Sequence, residues 1–123
     1  MTKKVLIVDD DAVLRRTLAS AFQRSGFTAL MAPDAMSALT QARTHTPDLI
    51  LLDLGLPAGG GFTVLDRLQQ FPALSIIPVI VISGQDRAAN EPRALAAGVV
   101  TYLEKPVTPE QVVEQALRIL VGS

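Results

Sequence analysis

Acidic side chains follow two of the most apolar runs in the sequence. Asp9 and Asp10 come directly after the run at residues 5–8, and Asp53 comes directly after the run at residues 49–52. If these runs are neighbouring parallel strands, the carboxylates meet at one edge of a sheet and repel one another unless a cation neutralises them. Because the chain has no cysteine and one histidine, its hard oxygen ligands favour Mg²⁺, Mn²⁺ or Ca²⁺ over zinc.

A hydroxyl and an amine occupy equivalent positions after two further apolar runs. Ser83 closes the run at residues 79–82, and Lys105 follows the run at residues 99–103 and precedes Pro106. A lysine supplies the point charge that phosphate recognition uses, and Mg²⁺ commonly bridges carboxylates to phosphate oxygens. Together with the acidic residues, these groups indicate a metal site that handles phosphate.

The elements that must position these groups alternate between strands and helices. Continuous apolar runs are typical of parallel strands covered on both faces, and the segments between them have apolar stripes at helical spacing. This alternation predicts an α/β domain with helices on both faces of a parallel sheet and its site at the carboxyl ends of the strands. The strands are predicted at residues 5–8, 28–31, 49–52, 79–82 and 99–103, and the helical stripes at Leu14, Leu18, Ala21 and Phe22, at Met36, Leu39 and Ala42, at Val64, Leu65 and Leu68, and at Val113, Ala116, Leu117 and Leu120.

The segment between Ser83 and Gly98 is the least regular part of the chain. Pro92 cannot lie in a helix interior without the loss of a hydrogen bond, so a short helix is predicted to begin near Asn90. Its apolar positions are mostly alanine, which makes the segment a candidate for mobility.

Length and composition fit one compact domain over residues 1–123. Hydrophobic residues make up 49% of the chain, and the formal net charge of −1 gives no general attraction to nucleic acid or anionic membranes. The apolar runs are too short to cross a bilayer, and the amino terminus lacks the pattern of a signal peptide. A cytoplasmic location is therefore expected.

Four motifs resemble those of response-regulator receiver domains of two-component signalling, in particular the chemotaxis-regulator-like ones. They are VLIVDDDAVLRR, LILLDLGLPAGGGFTVL, PVIVISG and AAGVVTYLEKPV, in this order, and the resemblance extends over essentially the whole chain. It implies a five-stranded parallel sheet in the order 2-1-3-4-5, within a flavodoxin-like three-layer sandwich that has five helices.

The resemblance implies roles for the acidic residues. Asp53 would be the phosphoacceptor, a carboxylate nucleophile that forms an acyl phosphate. Asp9 and Asp10 would position Mg²⁺ directly or through water, and Asp53 and the backbone carbonyl of Gly55 would be further metal ligands. Gly55 and Gln85 lie at positions that help set the rate of acyl phosphate hydrolysis in the family, and the sequence leaves open whether they speed or slow it.

The resemblance also implies a switch. Lys105 would pair with Asp53 and then with the phosphoryl oxygens, and the Ser83 hydroxyl would move to hydrogen-bond the phosphoryl group. Tyr102, three residues before Lys105, would then turn inward and change the surface formed by the fourth helix, the fifth strand and the fifth helix. The peptide bond between Lys105 and Pro106 is expected to be cis.

The implied function is that of a phosphorylation-dependent receiver whose phosphoryl donor is a sensor histidine kinase or a histidine phosphotransfer protein. It would catalyse only its own phosphorylation and dephosphorylation. It would control a separate downstream protein or a covalently linked output domain without itself contacting nucleic acid or membrane, and homodimerisation on phosphorylation stays open. A flavodoxin-like cofactor-binding module and a small phosphatase of similar topology are the alternatives from other functional classes.

Several of these residues also have a purely structural interpretation. Either Asp10 or Asp11 is expected to cap a helix that begins near Ala12, and for Asp11 this structural interpretation is favoured. Taken alone, Lys105 would be an ordinary surface lysine, Ser83 part of a plain turn, and Tyr102 a half-buried strand aromatic. The resemblance favours a site role for these last three residues.

Two further features are interpreted as structural. The glycines at residues 59–61 lack the lysine of a phosphate-binding loop and predict a flexible turn into the third helix. His45, which lies before Pro47 near the end of the second helix, is predicted to be an exposed helix-end residue rather than a phosphorelay histidine.

Overall fold

The computed structural model describes residues 2–121 and has one five-stranded sheet. The ends of the predicted domain 1–123, at Met1, Gly122 and Ser123, lie outside the described residues. The strands are β1 (Lys4–Val8), β2 (Thr28–Ala32), β3 (Leu49–Leu52), β4 (Val79–Ser83) and β5 (Thr101–Glu104). The helices are α1 (Ala12–Arg24), α2 (Ala35–His45), α3 (Gly60–Gln69), α4 (Pro72–Ser75), α5 (Arg87–Ala96) and α6 (Pro109–Val121), and a 3₁₀ turn (Pro57–Gly59) precedes α3.

The sheet has the topology that the resemblance implies. All its strand pairs are parallel, and the strand order is β2-β1-β3-β4-β5. Val8, the last residue of β1, is paired with Ala32 on one side and with Leu52 on the other. The residues that follow β1 and β3, Asp9 and Asp53, therefore leave the sheet side by side at its carboxyl edge.

The strands contribute to two hydrophobic cores because successive side chains point to opposite faces of a sheet. Leu6 and Val8 belong to the core beneath α2, α3 and α5. Val5 and Ile7 belong to the core beneath α1 and α6. Burial on both faces explains why the strands appear as unbroken apolar runs in the sequence, and each fully buried aliphatic side chain contributes about 1.5–3 kcal/mol.

Strand β5 is shifted from the predicted range of residues 99–103. Gly98 has a φ of 92°, and the Val99 N–H donates a hydrogen bond to the Ala94 carbonyl at 3.2 Å. Val99 therefore still belongs to the turn that ends α5. The strand begins at Thr101 and extends to Glu104, so the predicted bounds are wrong at both ends.

The part of the chain that the structure describes has six α-helices, one more than the resemblance implies. The additional helix, α4, is a single turn that begins at Pro72, a residue type favoured at the first helical position because its missing N–H has no intrahelical partner there. The predicted fourth and fifth helices are therefore α5 and α6. None of these helices is long and apolar enough to cross a membrane.

Helix α5 begins earlier than predicted, and Pro92 lies inside it. Its start is set by Asp86, whose carboxylate accepts a hydrogen bond from the Ala88 N–H at 3.0 Å. Pro92 leaves the Ala88 carbonyl without its intrahelical donor, but both residues are exposed, so water can pair this carbonyl. The start predicted near Asn90 is wrong because Asp86 caps the helix earlier in the chain and because water can pair the carbonyl that Pro92 leaves without a donor.

Helix α2 presents a different face to the sheet than its predicted stripe. Met36 is 81% exposed, whereas Ala38 and Ala42 are buried and Leu39 is partly buried. The buried stripe is thus centred on small alanines, and including Met36 in it was wrong. His45 ends α2 as predicted, but it is partly buried rather than exposed.

Helix α1 begins where the capping interpretation places it. The Asp11 carboxylate accepts hydrogen bonds from the N–H groups of Val13 at 3.0 Å and Leu14 at 3.2 Å. These two donors have no partner within the helix, so the cap stabilises its first turn. The structural interpretation of Asp11 is confirmed.

Gly61 in α3 lies against the chain that follows β3. A Cβ atom at this position would lie 2.5 Å from the Leu54 Cα and 2.9 Å from the Asp53 carbonyl oxygen. Backbone atoms cannot move aside as the end of a flexible side chain can, so the contact requires glycine. Helix α3 thereby packs directly on the segment that carries Asp53.

We expect Gly61→Ala to lower the free energy of unfolding by about 1–3 kcal/mol, the usual cost of an overpacked site. Urea denaturation measures this change. Gly84→Ala is the control, because a Cβ there would meet only the Lys105 side chain at an ordinary 3.8 Å. Equal stability of the two variants would contradict the close approach of α3.

Candidate functional site

The acidic residues predicted to converge do so at the carboxyl edge of the sheet. The Asp9 N–H donates to the Ala32 carbonyl at 3.2 Å, and the Asp53 N–H donates to the Val8 carbonyl at 2.9 Å, which extends the strand pairing by one residue. Asp9 is 3% exposed and Asp53 is 5% exposed. With the exposed Asp10 they bring three carboxylates within 4.8 Å of one another.

Lys105 is the cation that contacts both buried carboxylates. Its Nζ lies 3.1 Å from Asp9 Oδ2 and 3.4 Å from Asp53 Oδ2. Its backbone N–H donates to the Ser83 carbonyl at 2.9 Å, which fixes the loop after β5 against the end of β4. The peptide bond between Lys105 and Pro106 is cis, as the resemblance implies. Lys105 is therefore part of the site and not an isolated surface lysine.

Backbone groups hold the two buried carboxylates from their other side. Asp9 Oδ1 accepts a hydrogen bond from the Asp11 N–H at 2.9 Å, and Asp53 Oδ1 accepts one from the Gly55 N–H at 2.8 Å. Each carboxylate thus has one oxygen fixed by its own loop and one oxygen next to Lys105. This arrangement fixes the orientation of both side chains without a further side-chain partner.

Burial raises the pKa of the Asp53 carboxyl above its usual range. The charge of Asp9 adds to this rise, while the hydrogen bond from Gly55 and the charge of Lys105 only partly oppose it. For Lys105, burial acts to lower the pKa, but the hydrogen bond to Asp9 and the charges of Asp53 and Asp9 outweigh it and raise the pKa. Lys105 therefore stays protonated, yet it does not fully compensate the buried negative charge.

The residues present fit a hard metal cation. Lys105 pairs with two of the three carboxylates, and the Arg15 guanidinium donates to the backbone carbonyl of Asp9. The carboxylates therefore still outnumber the cations, and their oxygen donors are those that Mg²⁺ and Ca²⁺ prefer. Asp10 is exposed, which leaves its carboxylate accessible to an ion that arrives from solvent. The structure thus brings Asp9, Asp10 and Asp53 together as an acidic pocket that could hold a metal.

Glycine at position 55 leaves one side of Asp53 uncovered. A Cβ atom at this position would lie 3.3 Å from Asp53 Oδ1 and 3.6 Å from Asp53 Oδ2. Any larger residue would therefore place its side chain against the carboxylate. The predicted metal-ligand role of the Gly55 carbonyl stays a prediction.

Ser83 lies at the same edge of the sheet and is completely buried. Its hydroxyl accepts a hydrogen bond from the Gln85 N–H at 3.1 Å. Across residues 2–121, no hydrogen bond joins Ser83 to Asp53. The structure thus places Ser83 beside the acidic pocket, and its predicted movement towards a phosphoryl group stays a prediction.

Tyr102 on β5 is buried, with 4% of its surface exposed, and belongs to the core beneath α5. The interpretation of a half-buried aromatic is therefore wrong, and the ring already occupies the inward position. Within the described residues its hydroxyl is buried without a hydrogen-bond partner, which costs about 1–3 kcal/mol. The sequence analysis missed Arg87, whose guanidinium lies over this ring. Its spacing of four residues from Glu91 indicates their ion pair, but no sequence signal indicates its contact with Tyr102.

Fold and site together define a doubly wound α/β protein with an acidic, lysine-bridged pocket at the carboxyl edge of its sheet. A match to the family described as the response regulator receiver domain covers residues 5–117. The chain belongs to this family, whose members act in phosphorylation-dependent two-component signalling. The flavodoxin-like and phosphatase alternatives are not favoured.

Individual relatives agree with this assignment. The KDP operon transcriptional regulatory protein KdpE of Escherichia coli is 41% identical over 83% of this chain and 44% of its own length. The polar-differentiation response regulator DivK of Brucella ovis is 32% identical over 93% of both chains. The chain thus spans about half the length of the transcriptional regulators among its curated relatives and nearly all of DivK.

Solved structures show the same architecture. A CheY-like receiver domain protein from Methanospirillum hungatei superposes with a TM-score of 0.90 at 26% identity, covering 98% of this chain and 95% of the other. The chemotaxis protein CheY4 of Vibrio cholerae superposes with a TM-score of 0.91 at 25% identity, covering 98% of this chain and 100% of the other. The fold is therefore that of a CheY-like receiver domain.

We expect Asp53→Asn to raise the free energy of unfolding at pH 7 in the presence of a chelator, because it removes a buried charge that is only partly compensated. A raised native pKa means that the folded chain binds more protons than the unfolded chain between the two pKa values, so native stability falls as the pH rises through that window. The advantage of the variant should therefore shrink as the pH approaches about 4, the unfolded pKa of aspartate. Urea denaturation at several pH values measures this difference.

Asp66→Asn is the matched control for this prediction. Asp66 is an exposed aspartate on α3, outside the acidic pocket, and surface substitutions of this kind change stability by about 0.5 kcal/mol or less. A lower stability of Asp53→Asn than of the native chain at pH 7 would contradict the uncompensated-charge interpretation.

Proposed function

We propose that this chain is a receiver domain over residues 1–123 that accepts a phosphoryl group on Asp53. The observation that carries the proposal is the buried pair of Asp9 and Asp53 with Lys105 between them, at 3.1 and 3.4 Å. A carboxylate nucleophile needs a fixed orientation and a cation near the incoming phosphoryl oxygens. Gly55 and Lys105 supply these two requirements for Asp53.

The reaction is the transfer of a phosphoryl group from a phosphorylated histidine to a carboxylate oxygen of Asp53. The new oxygen–phosphorus bond of the acyl phosphate forms as the nitrogen–phosphorus bond of the donor breaks, and the histidine nitrogen keeps the bonding electron pair. Lys105 stays beside the transferred group and interacts with its oxygens. The chain catalyses only this step and the later hydrolysis of its own acyl phosphate.

Mg²⁺ is the cation we assign to the acidic pocket, held by Asp9, Asp10, Asp53 and the backbone carbonyl of Gly55. When bound, it would neutralise carboxylate charge and phosphoryl oxygens during transfer. Asp9 is fixed by the Asp11 N–H, so its second oxygen is preoriented towards the pocket. The excess of carboxylates over amines in the pocket supports this assignment.

Ser83 and Tyr102 form the proposed switch. A phosphoryl group on Asp53 adds acceptor oxygens to which the Ser83 hydroxyl can donate, and a movement towards them would strain its present hydrogen bond from the Gln85 N–H. The movement would reorganise the loop after β4 and, with it, the surface of α5, β5 and α6 around Tyr102. Contacts of this kind shift the balance between two conformations that differ by a few kcal/mol.

The proposed donor is a sensor histidine kinase or a histidine phosphotransfer protein, and the proposed location is the cytoplasm, where such donors present their phosphohistidine. The output is a separate protein or a linked domain. The transcriptional regulators among the relatives support a linked output, whereas the nearly complete coverage of DivK supports a separate partner. We assign no nucleic-acid or membrane contact to the receiver itself, and a phosphorylation-dependent homodimer is one way in which its surface could act.

Intact-mass spectrometry after incubation with a small phosphodonor and Mg²⁺ tests the acceptor. We expect one phosphoryl adduct on the native chain that requires Mg²⁺, because Asp53 is an oriented carboxylate next to Lys105 and the glycine at position 55 leaves one of its sides uncovered. The adduct should be absent in Asp53→Asn and present in the Asp66→Asn control. An adduct that persists in Asp53→Asn would contradict the assignment of Asp53 as the acceptor.

Thermal or urea denaturation with added Mg²⁺ tests the metal. At a free Mg²⁺ concentration of about 100 times its Kd, the native chain should gain about 2.7 kcal/mol of stability, because the ion binds only the folded state. Asp10→Asn should lose most of this gain, since it removes an accessible ligand without disturbing a buried contact.

Asp11→Asn is the matched control for Asp10→Asn. It removes the same charge one residue further along, and asparagine still caps α1 as well as aspartate does. The gain from Mg²⁺ should therefore remain close to native in this variant. Equal losses in both variants would show that general electrostatics, and not ligation by Asp10, produces the effect.

A further inference from the structure

Tyr102 is covered by a cation from α5. The guanidinium carbon of Arg87 lies over the Tyr102 ring at 5.6 Å from its centroid, a distance at which a cation is attracted to the face of an aromatic ring. Two hydrogen bonds fix the guanidinium to Glu91 one turn along α5, with Nε to Oε1 at 2.8 Å and Nη2 to Oε2 at 3.2 Å. Glu104, two residues beyond Tyr102 on β5, adds a further favourable charge interaction with Arg87.

The hydroxyl of Tyr102 does not account for its inward position. The ring is 4% exposed, and among residues 2–121 the hydroxyl has no hydrogen-bond partner. A buried, unpaired hydroxyl favours the outward position, where water would pair it. The contacts of the ring with the core and with Arg87 must therefore outweigh this effect. Arg87 is 45% exposed along its side chain, so it lies at the surface and covers the ring from the solvent side.

Helix α5 is attached to the domain largely through such side-chain contacts. Of its residues, Ala94 alone is buried. The Arg93 guanidinium stacks on the Phe62 ring of α3 at 3.8 Å, and the Gln69 amide donates to the Ala97 carbonyl at 2.9 Å. With so little apolar burial, the contact of Arg87 with Tyr102 is a substantial part of what sets the position of this helix.

The chain joins Arg87 directly to the acidic pocket. Ser83 ends β4 inside the site, its hydroxyl accepts a hydrogen bond from the Gln85 N–H, and Asp86 caps the helix that begins at Arg87. A movement of the Ser83 hydroxyl towards Asp53 would strain this hydrogen bond from Gln85. Because Asp86 alone separates Gln85 from Arg87, the first residue of α5, the displacement would reach the guanidinium over Tyr102.

We propose that Arg87, oriented by Glu91, is a positioning residue that keeps Tyr102 inward and transmits the movement of the Ser83 loop to the surface of α5, β5 and α6. The transmission rests on the proposed function of the acidic pocket. The contact itself stands on the geometry of Arg87, Glu91 and Tyr102 alone. The two parts can therefore be tested separately.

The chain contains a single tyrosine and no tryptophan, so its tyrosine fluorescence reports on Tyr102 alone. In Arg87→Ala, the fraction of this fluorescence that acrylamide can quench should rise about two- to fivefold, the population shift expected from the loss of one partly exposed cation–π contact. Glu91→Gln keeps the side-chain shape but removes the charge that holds Arg87, and it should give a smaller rise in the same direction. An unchanged quenchable fraction in Arg87→Ala would overturn the proposal.

Arg93→Ala is the matched control, because it removes another stacked arginine from the same helix but leaves Tyr102 covered. Its quenchable fraction should stay close to native. A rise as large as that of Arg87→Ala would show that general loosening of α5 exposes the ring, and it would overturn the specific role of Arg87.

The transmission is tested by adding phosphodonor and Mg²⁺ and recording the mass adduct and the quenching in the same samples. Arg87→Ala should form the adduct as the native chain does, but should lose at least half of the change in Tyr102 quenching that phosphorylation produces in the native chain. An adduct with an undiminished change in quenching would overturn the transmission. If the native chain forms no adduct, the proposed function and the transmission are both overturned. The comparison of Tyr102 quenching between Arg87→Ala and the native chain without phosphodonor still decides whether Arg87 positions Tyr102.

Discussion

Two carboxylates, Asp9 and Asp53, lie side by side in a site where almost none of their surface reaches water, and the other groups of the site compensate for that arrangement. Two buried anions at this separation repel each other and lose their hydration. Lys105 bridges them, and a backbone N–H from the following loop fixes each one. The compensation is incomplete, because Asp10 adds a third carboxylate to the cluster. This remaining negative charge suits the pocket to a metal cation.

The sheet, more than the helices, determines this geometry. The register of β1 with β3 places the two buried aspartates at the same level, and the pairing of β4 with β5 brings Lys105 beside Ser83. Parallel strands with short loops deliver these residues to one edge although they are far apart in the sequence. The helices cover both faces of the sheet, so the strands and the carboxylates of Asp9 and Asp53 at their ends are shielded from water.

The sequence predicted the features that follow from repeated local patterns. Continuous apolar runs located the strands, and the residues directly after them located the acidic pocket. Features that depend on three-dimensional packing were missed or misplaced. Pro92 lies inside α5 because a solvent-exposed carbonyl costs little there, Met36 faces solvent because alanines form the contact of α2, and the stacking of Arg87 on Tyr102 joins residues from different elements. No periodicity in a single sequence encodes contacts of this last kind.

The approach of Gly61 to the backbone behind Asp53 has a consequence for where motion can occur. The segment that carries Asp53 lies between β1, which hydrogen-bonds it from one side, and the first turn of α3, which touches its main chain from the other. These contacts leave the main chain at Asp53 little room to shift. Helix α5, with Ala94 as its one buried residue, is held less firmly, so the domain combines a rigid part around Asp53 with a more compliant part around α5.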